Sequence, residues 1–246
     1  MNTSLSESAS CDILAWNEYL SGLIDGDGSL LVSNKGYGSL EITMGICDEH
    51  ALNKVKQKLG GSVKLRSGAR AFRYRLHDKQ GMIDLINRIN GSIRNSKTIA
   101  QLKIICAHYK IEYQKPKLLT LDNSWFAGFF DAEGTIGYSF KKGDPQLTIS
   151  VSNKNRMDLL SYQEFFDGFI RWDKASNTHK WDLYSKEAIL FFYEYLQKHP
   201  LHSAKKKRFF LLKRFYLLVA CRAYRAERDS ILFRAWKRFD EKWNTF

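Results

Sequence analysis

The chain lacks the features that mark membrane-spanning, disulfide-stapled and zinc-stapled proteins. No apolar run approaches the ~18–20 residues that a membrane span needs, so no membrane is expected among its partners. The opening MNTSLSESASCD has neither an apolar core nor an arginine. It reads as neither a secretory signal peptide nor a transit peptide, and residues 1–11 are expected to form a flexible Ser-rich tail. Cysteine is scarce: Cys11, Cys47, Cys106 and Cys221 are widely scattered, with no CxxC pair, and the six histidines do not cluster at zinc-ligand spacing. These absences argue against a disulfide framework and a structural zinc site, and point to a reduced intracellular setting.

Acidic residues are also in deficit. Asp plus Glu number 26 against 39 for Lys plus Arg, a net charge of +13 in 246 residues. A negatively charged partner is implied, with nucleic acid leading. The excess is uneven: from Ser203 to Phe246 there are 13 basic and 4 acidic residues. Within it, KKKRFFLLKRFYLL places apolar residues at helical spacing beside the charges, so an amphipathic basic helix is expected over Ser203–Ala223. The 44% hydrophobic content is enough for a sizeable core and suits one large or two small domains.

What is present is a repeat. YLSGLIDGDG (Tyr19 to Gly28) and WFAGFFDAEG (Trp125 to Gly134) share one pattern, and aligning Asp27 with Glu133 brings the following segments into register. Each motif leads into an alternating run (SLLVSNK from Ser29, TIGYSFK from Thr135), a Gly-containing turn, and a second alternating run (SLEITMGI, QLTISVS). Then come a helical stretch ending in Gly (DEHALNKVKQKLGG, NRMDLLSYQEFFDG) and two further strands (SVKLRS with RAFRYRL, FIRWD with KWDLY). Helical segments close each half, around Gly81–Asn90 and Ser96–Tyr109, then Lys186–Lys198 and Ser203–Ala223. The chain thus divides into residues 12–109, a proline-containing connector over 110–123, and residues 124–246, where AYRAERDSILFRAWKRFDEKW adds one more helix.

Two such motifs, each followed by the same strand pattern, resemble the paired signatures of single-chain LAGLIDADG homing endonucleases, in repeat order and spacing over nearly the whole chain. The fold implied is α+β: two pseudo-symmetric αββαββα repeats, with antiparallel DNA-binding sheets forming a saddle and the motif helices paired at the interface.

The residues themselves support that pairing. Gly22 and Gly26 are four apart, as are Gly128 and Ala132, and Ser21 and Ala127 extend the small strip. Small residues at this spacing let two helix backbones approach closely, while Leu20, Leu23, Ile24, Phe126, Phe129 and Phe130 fill the flanking cores. Asp27 and Glu133 then meet at the C-terminal helix ends, where the dipole is negative and the last carbonyls lack partners. Ordinary helix chemistry disfavours two carboxylates there. A divalent cation favours them, with Gly26 and Ala132 offering carbonyl oxygens, and Mg²⁺ suits so hard a site. A calcium-loop reading of DGDGSLLVSNKG fails at Ser29, Leu30 and Gly36, which do not match the residues such a loop requires. Asp25 and Asp131 point elsewhere on the helix and are expected to cap or hydrogen-bond within the interface.

The resemblance implies a monomer that cuts both strands of duplex DNA, with Asp27 serving one scissile phosphate and Glu133 the other. Two or three divalent ions at the helix interface, Mg²⁺ with Ca²⁺ or Mn²⁺ able to substitute, would supply hydroxide near neutral pH and stabilise the leaving oxygen. Cuts across the minor groove would leave 5′-phosphates and short 3′ overhangs. The family also places a lysine near each site. Lys97 and Lys205 hold matching positions, although Lys206 and Lys207 leave the register of the second open. Solvent-organising side chains are expected at Asp48 and Asn153, and Asp48 departs from the amide the pattern prefers. Strand alternation puts Ser29, Leu31, Ser33, Lys35, Ser39, Glu41, Thr43, Lys64, Arg66, Arg73 and Arg75 on the outward face of the first half. In the second half that face carries Thr135, Gly137, Ser139, Lys141, Gln146, Thr148, Ser150, Ser152, Arg171, Asp173, Lys180 and Asp182. Arg pairs with guanine and Gln with adenine edges, and two such sheets span about 20 base pairs of an asymmetric target. The rival readings are an intron-splicing maturase that binds its host intron RNA and a non-cleaving DNA-binding regulator. Mitochondrial localisation, through an organelle-encoded intron, follows from the resemblance alone.

Overall fold

The computed structural model describes residues 3–245, with side chains from residue 11 onward. The first half runs α1 (Thr3–Asp27), β1 (Gly28–Val32), β2 (Gly38–Gly45), α2 (Glu49–Leu59), β3 (Ser62–Leu65), β4 (Ala71–Leu76), α3 (Lys79–Ile89) and α4 (Ser96–Tyr109). The second begins at α5 (Trp125–Glu133), followed by β5 (Gly134–Lys141), β6 (Asp144–Asn153), α6 (Leu160–Phe166), β7 (Phe169–Asp173), β8 (Thr178–Leu183) and α7 (Lys186–Lys198). It closes with α8 (Lys205–Phe209), α9 (Leu212–Ala220) and α10 (Ile231–Asn244). Each half carries one four-stranded antiparallel sheet, ordered β1-β2-β4-β3 and β5-β6-β8-β7. This is the two-repeat α+β architecture that the sequence pattern implies.

The two halves meet along α1 and α5. Glycine permits this contact because a side chain would have to occupy the other helix's backbone. A methyl built on Gly22 would stand 2.7 Å from the Phe129 amide nitrogen and closer still to the Trp125 carbonyl. One on Gly128 would collide with the Tyr19 carbonyl in the same way. The start of α5 is also fastened from α1: Glu18 accepts from the Ser124 amide at 2.9 Å and from Asn123 Nδ2 at 2.7 Å, standing in for a cap that Ser124 does not itself supply.

Each sheet lays one face on helices. Leu40, Ile42 and Met44 of β2, and Leu147, Ile149 and Val151 of β6, are buried, and the residues between them are at least partly open. The cores differ in chemistry. The first is mainly aliphatic, with Leu52, Val55, Leu85, Ile86 and Ile89 fully covered. The second is aromatic: Phe126, Tyr162, Phe166, Trp181 and Phe192 interlock, with ring centroids 4.7 Å apart for Phe166–Phe192 and 4.9 Å for Phe126–Tyr162. Each such side chain contributes ~1.5–3 kcal/mol by leaving water.

Four boundaries differ from the sequence pattern. Residues 1 and 2 of the expected flexible tail lie outside the described residues, but α1 runs back to Thr3. SLSESAS contains no Gly or Pro, and once a packed helix exists, adding turns to its end avoids the cost of nucleation. Strand β1 stops at Val32, so Ser33 and Lys35 stand in the turn, where Ser33 Oγ accepts from the Tyr37 amide at 3.0 Å. The basic helix over Ser203–Ala223 breaks into α8 and α9. The break lets Phe209 stack on Tyr193 at 4.4 Å while Phe215 turns toward Tyr138 and Phe239. The additional helix begins only at Ile231, where Ser230 caps the Phe233 amide at 3.1 Å. The connector 110–123 contains no helix or strand and is tied to the first half through Asn90, which donates to Glu112 O and accepts from Gln114 N, each at 2.8 Å.

Replacing Gly22 or Gly128 by Ala is expected to cost roughly 3 kcal/mol or more, because the obstacle is backbone and cannot rotate away. Gly137→Ala, where a methyl meets nothing within 4 Å, is expected to stay within about 0.5 kcal/mol. Urea midpoints of the three variants check the contrast; equal midpoints would show that α1 and α5 do not touch at these glycines.

Candidate active site at the helix crossing

The crossing of α1 and α5 ends in acids. A methyl on Gly26 would press against Ala132 Cβ and stand 3.1 Å from Glu133 Cγ, so the last turns of the two motif helices remain in contact. Asp27 and Glu133, both partly open, therefore sit at one end of one crossing. Burial is the main reason that the Asp27 carboxyl is pushed up to about 7, and Glu133 raises it further, with smaller contributions from Asp48 and Asp131. Lys205 pulls the other way. Glu133 is also raised by burial and is held down by Lys205 and then Lys97. Both predicted lysines thus act on the predicted acid pair.

The motifs' other acids brace this arrangement. Asp25 is buried, and its Oδ2 accepts from Trp125 Nε1 on the facing motif helix and from the Arg94 amide, both at 2.7 Å. Asp131, fully buried, accepts from Tyr19 OH on the opposite helix at 2.7 Å and from the amides of His202 at 2.6 Å and Ser203 at 3.1 Å. Burial raises both carboxyls, that of Asp25 to about 7, and the hydrogen bonds oppose the shift. Each therefore reaches across the interface and also holds the loop that precedes its own half's lysine.

That loop geometry resolves the lysine register. Asn95 caps the Lys97 amide at 3.1 Å, and Ser203 Oγ accepts from the Lys205 amide at 3.3 Å, so Lys205 is the structural counterpart of Lys97. Lys205 Nζ donates to the carbonyl oxygens of Asp131 and, at 3.1 Å, of Ala132. A small cavity of about 160 Å³ adjoins it, lined by Asp48, Gly134, Thr135, Ile136, Ala204, Lys205 and Arg208.

Asp48 and Asn153 are both engaged. Asp48 Oδ1 accepts from the Ala204 amide at 2.7 Å, and Asn153 Oδ1 from the Asn155 amide at 3.0 Å.

Among the described residues no three or more His, Cys, Asp or Glu side chains form a group able to hold a metal ion. What the crossing does offer is all oxygen: two carboxylates whose ionisation is disfavoured side by side, and an Ala132 carbonyl that already accepts a cationic group. A hard divalent ion fits that set, because it would relieve the carboxylates' repulsion and take carbonyl oxygens as ligands.

The outward faces of the sheets align as alternation implies. Across the first, Ser29 pairs with Glu41, Glu41 with Arg75, and Arg75 with Ser62; beside them Thr43 pairs with Arg73 and Arg73 with Lys64. Glu41 bridges Arg73, at 3.3 Å, and Arg75. Lys64, Arg66, Arg73 and Arg75, joined by Ser62 and His77, line a basic hollow of about 290 Å³. In the second sheet Thr135 pairs with Ser150, Gly137 with Thr148, Ser139 with Gln146 and Ser152 with Lys180, which meets Arg171. Lys141 lies over the Tyr184 ring at 4.7 Å, and Lys180 pairs with Asp173 at 2.6 Å.

One expected reader is corrected. Asp182 is 1% exposed, held by Arg171, Ser150 and Tyr184, so it orients Arg171 instead of reaching into a groove. Phe169, absent from the expected outward set, shares the parity of Arg171 and Asp173 and is 70% exposed beside them. Thr178 and Ser62 join the same faces through pairing with Asp173 and Arg75, and their parity with Lys180 and Lys64 is the signal that could have found them.

Comparison with known proteins places this geometry. The LAGLIDADG endonuclease family profile matches residues 20–108 and 126–216, covering both repeats. The chain is 48% identical over 235 residues to the intron-encoded RNA maturase bI4 of Saccharomyces cerevisiae, covering 94% of this chain and 37% of that protein. It is 40% identical over 259 residues to the probable intron-encoded endonuclease aI2 of Debaryomyces hansenii, covering 98% of this chain and 39% of that protein. It therefore spans well under half the length of these relatives. The fold superposes on the LAGLIDADG homing endonuclease I-LtrWI, solved bound to target DNA, with a TM-score of 0.73, 15% identity, and coverage of 96% of this chain and 98% of that one.

The raised Asp27 and Glu133 carboxyls have a measurable consequence. Their ionisation is harder in the folded chain than in the unfolded one, so as pH rises the folded state holds protons that the unfolded state releases, for Asp27 between about pH 4 and pH 7. The contribution to stability is present below that window and is lost as pH rises through it, at no more than about 1.4 kcal/mol per pH unit for each group. Without divalent ions, Asp27→Asn is expected to gain thermal stability over the wild type at pH 7.5 but not at pH 4. Melting curves at the two pH values check this; an advantage of equal size at both would rule out the raised carboxyl.

Proposed function

This chain belongs to the LAGLIDADG endonuclease family, and from that membership we propose that it is a site-specific DNA endonuclease that makes a double-strand break in a long asymmetric target of about 20 base pairs. The observation that carries the reading is the pair of acids, Asp27 and Glu133, delivered by two motif helices to one crossing with Lys97 and Lys205 acting on them. Structural and regulatory proteins gain nothing from that electrostatic cost.

In this reading Asp27 and Glu133, with the carbonyls of Gly26 and Ala132, hold divalent ions of the Mg²⁺ type, for which Ca²⁺ or Mn²⁺ can substitute. When bound, such ions supply a hydroxide nucleophile near neutral pH and offset charge on the leaving oxygen. Lys97 and Lys205 stand where an ammonium stabilises charge developing on each scissile phosphate. Asp48 Oδ2 and Asn153 remain suited to ordering water beside them. The products are duplex ends with 5′-phosphates and short 3′ overhangs.

The outward sheet faces supply the readout. Ser29, Leu31, Ser39, Thr43, Lys64, Arg66, Arg73 and Arg75 serve one half-site, and Thr135, Ser139, Lys141, Gln146, Thr148, Ser150, Ser152, Arg171 and Lys180 serve the other, with Ser33 and Lys35 contacting from the turn. The halves differ at nearly every one of these positions, so an asymmetric target read by a monomer follows. Glu41 pre-orients Arg73 and Arg75 as Asp182 does Arg171, which lowers the entropy cost of presenting them to a base edge. Synthesis from an organellar intron belongs to the same reading, in line with the intron-encoded relatives.

A second reading has its own support: the relative that is 48% identical is named an RNA maturase. Binding of host intron RNA is therefore a parallel outcome to test.

Asp27→Asn and Glu133→Gln are each expected to abolish double-strand cleavage in Mg²⁺ while leaving DNA affinity in Ca²⁺ within a few-fold. Cleavage of a randomised duplex library, followed by binding to the selected target, checks this, and full cutting by both variants would remove the two acids from the chemistry. Selective binding of intron RNA with no duplex cut would favour the maturase. On the selected target, Arg73→Ala or Arg75→Ala is expected to relax preference at one or two base pairs by about 1–3 kcal/mol each; an unchanged profile for both would take the first sheet's arginines out of the readout.

A further inference from the structure

The lysine-bearing helices α4 and α8 start in an unusual way: each is held by a carboxylate from the opposite half. Asp48 lies in the short turn between β2 and α2 of the first half. It occupies the N-cap position of α2, yet its side chain makes no bond to that helix. Its Oδ1 instead accepts from the Ala204 amide at 2.7 Å, one residue before Lys205. Ala204 has no side chain with which to cap α8, so this bond comes from the other repeat.

The second half reciprocates. Asp158 lies in the equivalent turn, between β6 and α6. Its Oδ1 accepts from the Ser96 amide at 3.2 Å and from Ser96 Oγ at 2.7 Å, one residue before Lys97. Asn155 of the same turn adds a bond to Ser96 Oγ at 3.0 Å. The two contacts are related by the repeat: a carboxylate from the same turn reaches the residue just before the lysine. Interior burial does not account for them, because both aspartates are only partly covered and Ser96 is exposed.

We propose that Asp48 and Asp158 are positioning residues that act in trans between the halves: Asp48 sets the start of the helix that presents Lys205, and Asp158 the start of the helix that presents Lys97. The lysine of each half is thereby aimed only when the opposite half is docked. Each carboxylate places a negative charge at a helix N-terminus, where the dipole and an orphan amide both favour it. A freed helix start lets the following side chain drift, and a misplacement of ~1 Å can cost 10²-fold in a positioned reaction. Because the two contacts serve different lysines, losing one would desynchronise the two strand cuts instead of slowing both. This inference rests on the endonuclease reading.

Strand-resolved cleavage of a supercoiled plasmid carrying the library-selected target tests it, with each strand labelled separately. Asp48→Ala is expected to slow one strand about tenfold or more, with nicked circles accumulating and binding in Ca²⁺ within about twofold. Asp158→Ala is expected to slow the other strand. Asp48→Asn is expected to keep amide exchange at Ala204 at the wild-type rate, because the amide oxygen accepts the same N–H. Equal slowing of both strands, slowing of the same strand by both variants, or no slowing would overturn the proposal. Amide hydrogen exchange on the full chain without DNA reads the clamps independently: Asp48→Ala should speed exchange at Ala204 about tenfold and leave Ser96 unchanged, and Asp158→Ala should do the reverse. A wild-type chain that cuts no duplex defeats the endonuclease reading itself, and exchange then still decides whether the crossed clamps exist. Unchanged exchange in both variants would overturn them.

Discussion

Everything in this molecule hangs on two helix backbones touching. Gly22 faces the Trp125 carbonyl and Gly128 the Tyr19 carbonyl, and nothing larger than hydrogen fits at either point. That contact fixes where the motif helices end relative to each other, and so fixes where Asp27 and Glu133 stand. It also holds two sheets in a single frame without strand pairing between them: no strand of one half pairs with a strand of the other among the described residues.

The interface then spends its polar groups on defining geometry. Asp25 and Asp131 are buried carboxylates, which are costly in isolation. Each is repaid by donors from the facing helix and from the loop ahead of its own lysine. The same group therefore registers the two halves and anchors the loop ahead of its half's lysine. Asp48 and Asp158 add a second crossing, from the rims of the sheets to the starts of the lysine helices. A structure in which each half's lysine is held by both halves has a physical reason to behave as one unit, even though each repeat has its own core.

The two cores show how little of this depends on particular hydrophobic residues. Leu, Ile and Val fill the first half where Phe, Tyr and Trp fill the second, yet the sheet orders are the same. Packing needs volume and alternation; the interface needs glycine at defined points and carboxylates with defined partners. That difference explains why the motif stretches of the repeats stay alike while the strands that follow diverge. The divergence falls on the outward faces too, where each half presents its own set: Arg73, Arg75 and Lys64 against Gln146, Arg171 and Lys180.

The amino-acid sequence by itself determined the repeat, the strand parity, the small-residue contact strip and the acids at its end, because each is a local pattern: period two, period 3.6, or a residue type at a fixed offset. The buried and outward sets of β2 and β6 follow from alternation, and the meeting of Asp27 and Glu133 follows from two glycine pairs. Tertiary structure decided what local pattern cannot carry. The equivalence of Lys205 with Lys97, among three consecutive lysines, is set by the bond its amide donates to Ser203 Oγ, matching that of Lys97 to Asn95. The burial of Asp182 depends on Arg171, Ser150 and Tyr184 closing over it. The break between α8 and α9 depends on two aromatic residues finding different partners. The reach of Asp48 to Ala204 spans 156 positions of sequence and Asp158 to Ser96 spans 62. Such contacts have no period and no composition signature, since a carboxylate that caps a distant helix is spelled no differently from one that faces water.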